Sequence, residues 1–357
     1  MKKIIIFIPS IERAGVEKNL FIISNYLSQK FERIYLVTAN NNFKKKISSK
    51  IKIICPSTNF FNNKSRFLKS FYCFFKIFFF IKEKNFILLA FQSSLIAAII
   101  SKIYDINLII RLNTSPNKYI NSPLREYIFS KVYHCASAII VNSKEFKFLL
   151  KKKLNVSSEF IYNPIVDKIS NSKLKSKKIK KLKILNIGRL TDQKDQITLL
   201  KALVLLKESK IPFNANIIGG GKKFVCLEDF INKNQLKNNV KLLGFKKNST
   251  KFMKKANIFV LSSKFEGLPN VLIEAQQNNI PIISSNCPSG PNEILLNGKL
   301  GKLFPVENYK KLFLELKDFY LRPKNLNKKA KLAKMFLFRF NKKENCKKYF
   351  EIIKRFI

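Results

Sequence analysis

The chain of 357 residues has few of the side chains that build metal sites or covalent cross-links. It contains a single histidine, His134, and its six cysteines are scattered without a C-x-x-C pair. Structural zinc sites and disulfide frameworks need closely spaced ligands, so both are poor interpretations of this chain. We expect reduced, mostly buried thiols. His134 lies where a helix runs into a strand, and we expect a structural role for it.

Acidic residues are also scarce, with 22 Asp and Glu against 69 Lys and Arg and a formal net charge of +47. Lysine, asparagine, isoleucine and phenylalanine are abundant, which an A+T-rich coding sequence would impose without selection for a ligand. The remaining excess favours an anionic membrane surface as a partner, because bulky apolar residues alternate with lysines in KSFYCFFKIFFFIKEK. Nucleic acid is disfavoured because no zinc finger, helix-turn-helix or RNP-like strand is present.

Long uninterrupted apolar runs are absent. Four lysines interrupt the most apolar region before ~18 consecutive apolar residues accumulate: Lys69, Lys76, Lys82 and Lys84. The opening MKKIIIFIPS fits a first parallel strand, and no small-residue cleavage site follows it. We therefore expect a cytoplasmic protein that is peripheral on the inner face of the cytoplasmic membrane.

What the sequence does contain is a regular alternation of short apolar runs and helical segments. The strands predicted in the first half are 4–9, 34–39, 51–56, 86–91, 108–113, 138–143 and 160–166. Those predicted in the second half are 182–188, 214–220, 240–245, 258–263 and 281–286. The helices predicted with bounds are 16–29, 65–83, 93–103, 123–133, 307–319 and 325–337. Apolar strands separated by helices indicate parallel sheets covered on both faces, which bind ligands beyond the carboxyl ends of their strands.

A polar, lysine-rich segment divides the chain. At this length one ordinary core is not enough, and two domains of common size are expected. We predict a first domain at 1–166, a linker at 167–181, a second domain at 182–338 and an amphipathic C-terminal helix within 339–357.

The segment IFVLSSKFEGLPNVLIEAQQNN carries two carboxylates, Glu266 and Glu274, around a predicted turn that opens a helix. Pro269 sits where a first-turn proline is tolerated. Backbone N–H groups at a helix start, together with the helix dipole, suit a diphosphate. Carboxylates would repel phosphate, so they are expected to accept hydrogen bonds from neutral sugar hydroxyls. The pattern is typical of a nucleotide-sugar site.

These motifs carry a family resemblance over most of the chain. E-G-L-P-N-V-L-I-E-A, followed by P-I-I-S-S-N-C-P-S-G-P-N-E-I-L, resembles the E-x7-E donor motif of the retaining glycosyltransferases of family 4. LNIGRLTDQK resembles that family's G-R-L-x-x-x-K segment, and ANIIGGGKK resembles the strand and glycine turn that follow it. The resemblance implies an α/β protein of GT-B fold, with two Rossmann-like doubly wound parallel-sheet domains facing across a cleft. The donor would lie in the second domain and the acceptor in the first, and the final helix would cross back to the first domain.

The resemblance also implies a site. Arg189 and Lys194 would contact the donor diphosphate, Glu266 the sugar hydroxyls and Glu274 the ribose, with Glu266, Arg189 and Lys194 as catalytic residues. The donor-binding set is completed by Gly188, Gly220, Gly267, Leu268, Pro269, Asn270 and Val271. No D-x-D is positioned for a donor magnesium, so we expect no metal and no cofactor besides the nucleoside-diphosphate sugar.

The first domain departs from the family in two places. Ala14 replaces the first of two glycines in the N-terminal loop, which leaves Gly15 alone. Many relatives carry a histidine at the end of the strand that here is LIIRLN, where this chain has Arg111 and Asn113. Arg111 is expected either to contact the donor or acceptor or to pair with a carboxylate. The run Gly219–Gly221 lacks the spacing of a phosphate loop, so a tight strand-to-helix turn is favoured.

The function expected is transfer of a hexose or N-acetylhexosamine, with retention, from a nucleoside diphosphate to a lipid-linked acceptor. UDP is favoured over GDP, and the acceptor would belong to capsule, O-antigen or another surface glycan. The alternative is a noncatalytic, basic, membrane-associated binding protein on a degenerate transferase fold. The sequence makes no prediction of oligomeric state.

Overall fold

The computed structural model describes residues 3–11, 15–114, 120, 122–167 and 179–357. The chain divides into two compact units, Met1–Pro164 with Asn341–Ile357, and Ile165–Phe340. The predicted boundary was placed after residue 166, and most of the predicted linker, 168–178, lies outside the described residues.

The first unit is built on a seven-stranded sheet in which every neighbouring pair is parallel. Its strands are β1 (Lys3–Phe7), β2 (Ile34–Val37), β3 (Ile51–Ile54), β4 (Phe86–Ala90), β5 (Asn107–Arg111), β6 (Ala138–Val141) and β7 (Glu159–Phe160). Their order across the sheet is β3-β2-β1-β4-β5-β6-β7. The order runs outward from β1 in both directions, which is the doubly wound arrangement predicted from the apolar runs.

Helices cover both faces of this sheet. They are α1 (Gly15–Leu27), α2 (Arg66–Phe80), α3 (Ser94–Tyr104), α4 (Pro123–His134), α5 (Lys144–Leu154) and α13 (Lys342–Lys354), with a 3-10 turn at Lys44–Lys46. Buried residues of α2 to α5 share one core cluster with one side of the strands, while α1 and α13 share a second cluster with the other side. The C-terminal helix therefore completes the core of the first unit.

Helix starts in this unit follow local capping chemistry. The hydroxyls of Ser65, Ser122 and Ser143 each accept the backbone N–H three residues later, at the starts of α2, α4 and α5. Such caps satisfy a donor that has no intrahelical partner. Pro123 stands in the first turn of α4, where its missing N–H costs nothing.

The second unit has a six-stranded sheet, again parallel throughout, in the order β10-β9-β8-β11-β12-β13. Its strands are β8 (Leu182–Ile187), β9 (Phe213–Ile218), β10 (Val240–Leu242), β11 (Ile258–Leu261), β12 (Ile282–Ser285) and β13 (Lys302–Phe304). Its helices are α6 (Gln196–Glu208), α7 (Phe224–Lys233), α8 (Thr250–Lys255), α9 (Asn270–Gln277), α10 (Pro291–Ile294), α11 (Tyr309–Leu321) and α12 (Pro323–Met335), followed by a 3-10 turn at Phe336–Phe340.

The structure corrects several predicted boundaries. The strand predicted at 160–166 is observed as Glu159–Phe160, and the Ile161 N–H adds one more hydrogen bond, to the Val141 carbonyl of β6. The strand does not continue, because Pro164 has no N–H and the N–H groups of Ile165 and Val166 donate to the Phe340 carbonyl. Strand β13, only three residues long, was not predicted. Within the described ranges, no helix combines the length and the hydropathy that crossing a bilayer requires.

Candidate donor site in the second unit

The loop after β8 places Gly188 and two cations at the carboxyl edge of the second sheet. Gly188 donates its N–H to the Ile218 carbonyl at 2.9 Å, which extends the pairing of β8 with β9. The Arg189 side chain is exposed, and its carbonyl accepts from Gln196 Nε2 at 3.1 Å. The Lys194 chain packs over Gly188, where an added Cβ would lie 3.3 Å from Lys194 Cδ. The loop that carries the two predicted cations is thus held by contacts at its start, Gly188 and Arg189, and at its end, Lys194.

Glu266 lies in the loop after β11, the neighbour of β8 in the sheet, so both loops emerge at the same edge. Its Oε1 accepts from Lys194 Nζ at 2.5 Å and from Ser263 Oγ at 2.6 Å. The side chains of Lys194 and Glu266 are only 16% and 6% exposed. No described residue donates to Glu266 Oε2, which leaves that oxygen able to accept from a ligand hydroxyl.

A series of serines and one glycine holds this loop in place. Ser289 Oγ donates to the Glu266 carbonyl at 2.8 Å, and Ser285 Oγ donates to the Ser263 carbonyl at 2.6 Å. Ser262 Oγ donates to the Lys194 carbonyl at 3.0 Å, which joins the two loops. Gly290 has φ 84°, and an added Cβ there would lie 1.9 Å from the Gly267 carbonyl oxygen. The backbone that carries Glu266 is therefore fixed from two sides.

Helix α9 begins directly after the Glu266 loop. Pro269 is its N-cap with extended backbone, one position before the predicted first turn, and Asn270 and Val271 open the helix. Leu268 is buried under the helix start. Glu274 lies half-buried one turn further along α9. The Leu272 N–H already donates to the Pro269 carbonyl at 3.0 Å, so this terminus offers the positive end of the helix dipole beside the carboxylate.

The glycine run forms a tight strand-to-helix turn, as predicted, and packs against the loop that carries the cations. Gly219 has φ 153°, and an added Cβ would lie 1.8 Å from the Gly188 carbonyl oxygen. Gly221 has φ 155°, and its Cβ would lie 2.3 Å from the Leu190 carbonyl oxygen. Gly220 is exposed and has no atom within 4 Å of the Cβ position. Gly219 and Gly221 thus allow the close approach of two backbone segments, while Gly220 is exposed.

Burial shapes the acid-base chemistry around the site. It raises the pKa of the Cys287 thiol to about 12, and the negative charge of Glu266 adds to that rise. Burial also raises the pKa of Asp195, against the opposing effect of a 2.6 Å hydrogen bond from Thr198 Oγ1. Asp195 adopts a left-handed backbone as the N-cap of α6. Across the described ranges, no group of three or more His, Cys, Asp or Glu side chains could hold a metal ion.

Arg111, in the first unit, is a buried core residue with 1% exposure. Its Nε donates to Tyr349 Oη at 2.7 Å and its Nη2 to Asn163 Oδ1 at 2.8 Å, while the guanidinium lies over the Phe91 ring at 5.3 Å. These partners are neutral, and no described carboxylate pairs with Arg111. The alternative of a carboxylate partner is therefore wrong. Arg111 Nη1 is buried and meets no acceptor among the described residues, and a contact of Arg111 with donor or acceptor stays a prediction.

The other residues of the first unit that the sequence singled out lie at or near the surface or in loops. Gly15 is the exposed first residue of α1. Asn113 donates from Nδ2 to the Phe91 carbonyl at 3.0 Å, while its buried Oδ1 meets no donor in the described part of the chain. His134 is exposed at the end of α4 with Nδ1 2.8 Å from the Ser130 carbonyl oxygen. The structural role expected for His134 agrees with this helix-end contact.

Ser263 was not predicted, although it contacts the same carboxylate oxygen as Lys194. A serine pair directly after an apolar strand, three residues before a glutamate, was the available signal. Tyr349 was not predicted either, because its partner Arg111 is 238 positions away.

The region that holds the candidate site is similar in sequence to known proteins. Residues 167–335 match the family model of glycosyl transferases group 1. An uncharacterized glycosyltransferase of Methanocaldococcus jannaschii is 38% identical over 49% of this chain and 48% of its own length. The N-acetylgalactosamine-N,N'-diacetylbacillosaminyl-diphospho-undecaprenol 4-alpha-N-acetylgalactosaminyltransferase of Campylobacter jejuni is 32% identical over 60% of each chain. The chain thus spans about half to three fifths of the length of these relatives.

Solved structures resemble the whole chain. HepE from Anabaena in complex with UDP superposes with a TM-score of 0.78 at 18% identity, covering 99% of this chain and 100% of that one. A TarM variant from S. aureus superposes with a TM-score of 0.79 at 13% identity, covering 99% of each chain. At these identities the likeness shows the fold alone. The predicted fold class, two Rossmann-like parallel-sheet domains of GT-B type, is confirmed.

Proposed function

We propose that this protein is a retaining glycosyltransferase that moves a hexose or N-acetylhexosamine from a nucleoside diphosphate, with UDP favoured over GDP. The acceptor is a lipid-linked glycan in surface polysaccharide assembly. The observation that carries the proposal is the ion pair between half-buried Lys194 and buried Glu266 at the carboxyl edge of β8 and β11, beside the start of α9.

The Lys194–Glu266 pair suits a sugar-donor substrate that has an anionic part and a neutral, hydroxyl-rich part. Lys194 has three N–H donors, of which one meets Glu266, so the others remain for phosphate oxygens. Arg189 lies exposed in the same loop, and its planar guanidinium suits phosphate oxygens. Glu266 Oε2 then accepts from a sugar hydroxyl, and Glu274 on α9 accepts from ribose hydroxyls.

In the transfer step an acceptor oxygen forms a bond to the anomeric carbon as the bond from that carbon to the diphosphate oxygen breaks. The acceptor proton passes to the departing diphosphate on the same face, so the configuration is retained without a protein base. Negative charge grows on the leaving group, and Lys194, Arg189 and the positive end of the α9 dipole stabilise it without a metal ion. Charge stabilisation by prearranged donors is commonly the largest catalytic contribution.

Relatives support the donor and acceptor classes. The Campylobacter jejuni relative is named for a diphospho-undecaprenol acceptor and an N-acetylgalactosaminyl group. Other relatives are named for capsular polysaccharide and amylovoran biosynthesis, and HepE has been solved with UDP-glucose. These names favour a UDP-hexose class donor and a lipid-linked acceptor for this chain.

The test is a panel of UDP- and GDP-sugars with a polyprenyl-diphosphate oligosaccharide acceptor, scored by product mass and by the anomeric coupling constant. One UDP-sugar should be transferred with retained configuration. Lys194→Met should lower kcat roughly 100- to 1000-fold because it removes charge stabilisation in the transition state. Glu266→Gln should weaken turnover by about tenfold or more.

Asp318→Asn is the matched control, since Asp318 forms an exposed ion pair with Arg322 on α11 of the same unit. It should keep full turnover and the same melting temperature. If no donor is hydrolysed or transferred, or if Lys194→Met and Glu266→Gln turn over like the control, the assignment fails and a noncatalytic binding protein is the better description.

A further inference from the structure

Helix α2 is apolar on two opposite faces. Its buried face, with Cys73 and Ile77, packs into the core of the first unit. Its opposite face presents one phenylalanine on each successive turn, which we name the phenylalanine ladder: Phe67, Phe71, Phe75 and Phe79, with 74%, 51%, 42% and 72% of each exposed. Consecutive rings of the ladder lie 4.8–6.4 Å apart between centroids. A water-soluble helix normally keeps this face polar.

Helix α3 adds a second apolar row with the same spacing: Leu95, Ile99 and Ile103, with 47%, 44% and 51% exposed. Two contacts tie α3 to α2 along its length. Tyr104 Oη donates to the Phe78 carbonyl at 2.5 Å, and the Ser70 and Ser93 hydroxyls lie 2.7 Å apart. The two rows therefore run side by side, and we call them together the apolar face.

The apolar face is larger than a monomer normally exposes. The ladder alone exposes more than two whole phenylalanine side chains, roughly 400–500 Å², and the α3 row adds about half as much. Contiguous apolar patches beyond about 300–600 Å² mark interaction sites.

Cations surround this face. Helices α2 and α3 contain no acidic residue, and Lys76 and Lys102 stand exposed within them. Arg66, the first residue of α2, is exposed too, and the exposed Lys64 and Lys82 flank the helix. The nearest acids in sequence, Glu83 and Asp105, pair with Lys3 and Lys84. An apolar centre with a positive rim complements a surface that is apolar inside and anionic at its boundary.

We propose that the apolar face docks the protein on a bilayer that contains anionic lipid. The rings enter the boundary between headgroups and acyl chains, and the lysines reach the phosphate level. Helix α2, at 15 residues, lies along the surface and does not cross the bilayer. A second copy of this chain would set one charge of +47 against another, which disfavours self-association. No residue of the donor site takes part, so this inference stands or fails independently of the transferase.

Vesicle flotation of the full chain tests the proposal. Wild-type protein should float with phosphatidylcholine vesicles that contain phosphatidylglycerol, and far less with phosphatidylcholine alone or at roughly 0.5 M salt, since salt screens the lysines. Phe67→Ser/Phe79→Ser should weaken partitioning at least about tenfold, because two exposed rings no longer leave water. Lys76→Gln/Lys102→Gln should weaken it by about 25-fold, roughly fivefold per cation near the surface.

The matched control is Leu321→Ser/Met335→Ser, which removes two apolar side chains of the second unit with similar exposure, 62% and 72%. It should partition like wild type. Circular dichroism melting should show that every variant keeps its fold, because all the altered side chains are exposed.

A fluorescence probe keeps the test decisive even if a ladder variant misfolds. The chain has no tryptophan, so Phe79→Trp supplies a single reporter at the ladder. Its emission should shift to the blue with anionic vesicles and be quenched by brominated lipid, whereas Phe338→Trp, at a 66% exposed site of the second unit, should not respond.

Three outcomes would overturn the proposal. The first is that wild type and the ladder variant float equally well. The second is that the indole emission of the Phe79→Trp protein does not shift with vesicles. The third is sedimentation showing that wild type dimerises through the ladder in the absence of lipid.

Discussion

At the scale of single residues, the candidate donor site depends on backbone packing that only glycine permits. Gly219 and Gly220 are adjacent, yet a Cβ at the first would lie 1.8 Å from the Gly188 carbonyl oxygen and a Cβ at the second would meet no atom within 4 Å. The two glycines are neighbours in the sequence, but the space around Gly219 is filled by backbone and the space around Gly220 is empty.

Gly219→Ala should therefore destabilise the second unit by more than about 2 kcal/mol, because the clash adds to an unfavourable φ of 153°. Gly220→Ala should change the free energy of unfolding by less than about 0.5 kcal/mol. Urea unfolding followed by circular dichroism measures both. Equal losses in the two variants would contradict the packing argument.

Burial also predicts which thiols react. It raises the pKa of the Cys287 and Cys346 thiols to about 12, from an ordinary 9.0, and raises that of Cys73 as well. A raised folded pKa keeps the reactive thiolate scarce at pH 8. It also means that these thiols stabilise the fold below pH 9 and lose that contribution as pH rises toward 12.

Iodoacetamide at pH 8 should thus label the exposed Cys226 of the native protein and leave Cys73, Cys287 and Cys346 unmodified until urea is added. Peptide mass spectrometry reads the result. Native labelling of Cys287 at the rate of Cys226 would show that the donor-site loop opens readily. The expectation of mostly buried thiols holds for three of the six cysteines.

At the scale of elements, the sequence predicted a strand or a helix well wherever the spacing of apolar residues was typical of one of the two and not of the other. It could not predict β13, whose three residues are too few to show a period. It placed Pro269 one position too far into α9, because proline is compatible with both the cap and the first turn. For the candidate site, E-x7-E and G-R-L-x-x-x-K singled out Glu266 and Lys194, which are in contact in the structure. Only the fold shows Ser263 sharing Oε1 with that lysine.

The C-terminal helix α13 joins the first unit through a buried hydrogen bond. Tyr349 is 0% exposed, and its hydroxyl accepts from Arg111 Nε. Burial raises the pKa of Tyr349, while the adjacent guanidinium opposes that rise.

Tyr349→Phe should cost about 1–3 kcal/mol of stability, because it leaves Arg111 Nε buried without an acceptor. Tyr127→Phe, at a site that is 63% exposed, is the control and should be neutral. Thermal melts of the two proteins decide the matter, and an unchanged melting temperature for Tyr349→Phe would mean that water replaces the lost acceptor.

At the scale of the whole molecule, the two units differ in how the chain supplies them. The second unit is one continuous stretch, Ile165–Phe340, whereas the first is assembled from Met1–Pro164 and Asn341–Ile357. Cys346, Tyr349, Ile352 and Ile353 belong to a core cluster of the first unit.

A fragment of residues 165–340 should therefore fold alone, with a cooperative thermal transition, and bind UDP if the donor site is correctly assigned. A fragment of residues 1–164 should be aggregated or partly unfolded, and joining residues 341–357 to it through a flexible linker should restore a cooperative transition. A fragment 1–164 that melts cooperatively by itself would show that α13 is dispensable.

The discontinuity of the first unit also has a consequence for protein synthesis. A ribosome that has finished Pro164 must still translate the whole intervening unit before α13 emerges, which takes on the order of 10–35 s at roughly 5–20 residues per second. During that interval the nascent amino-terminal half exposes the surface of β1, β4 and α1 that α13 later covers. The unit whose synthesis begins first is thus the last to be completed.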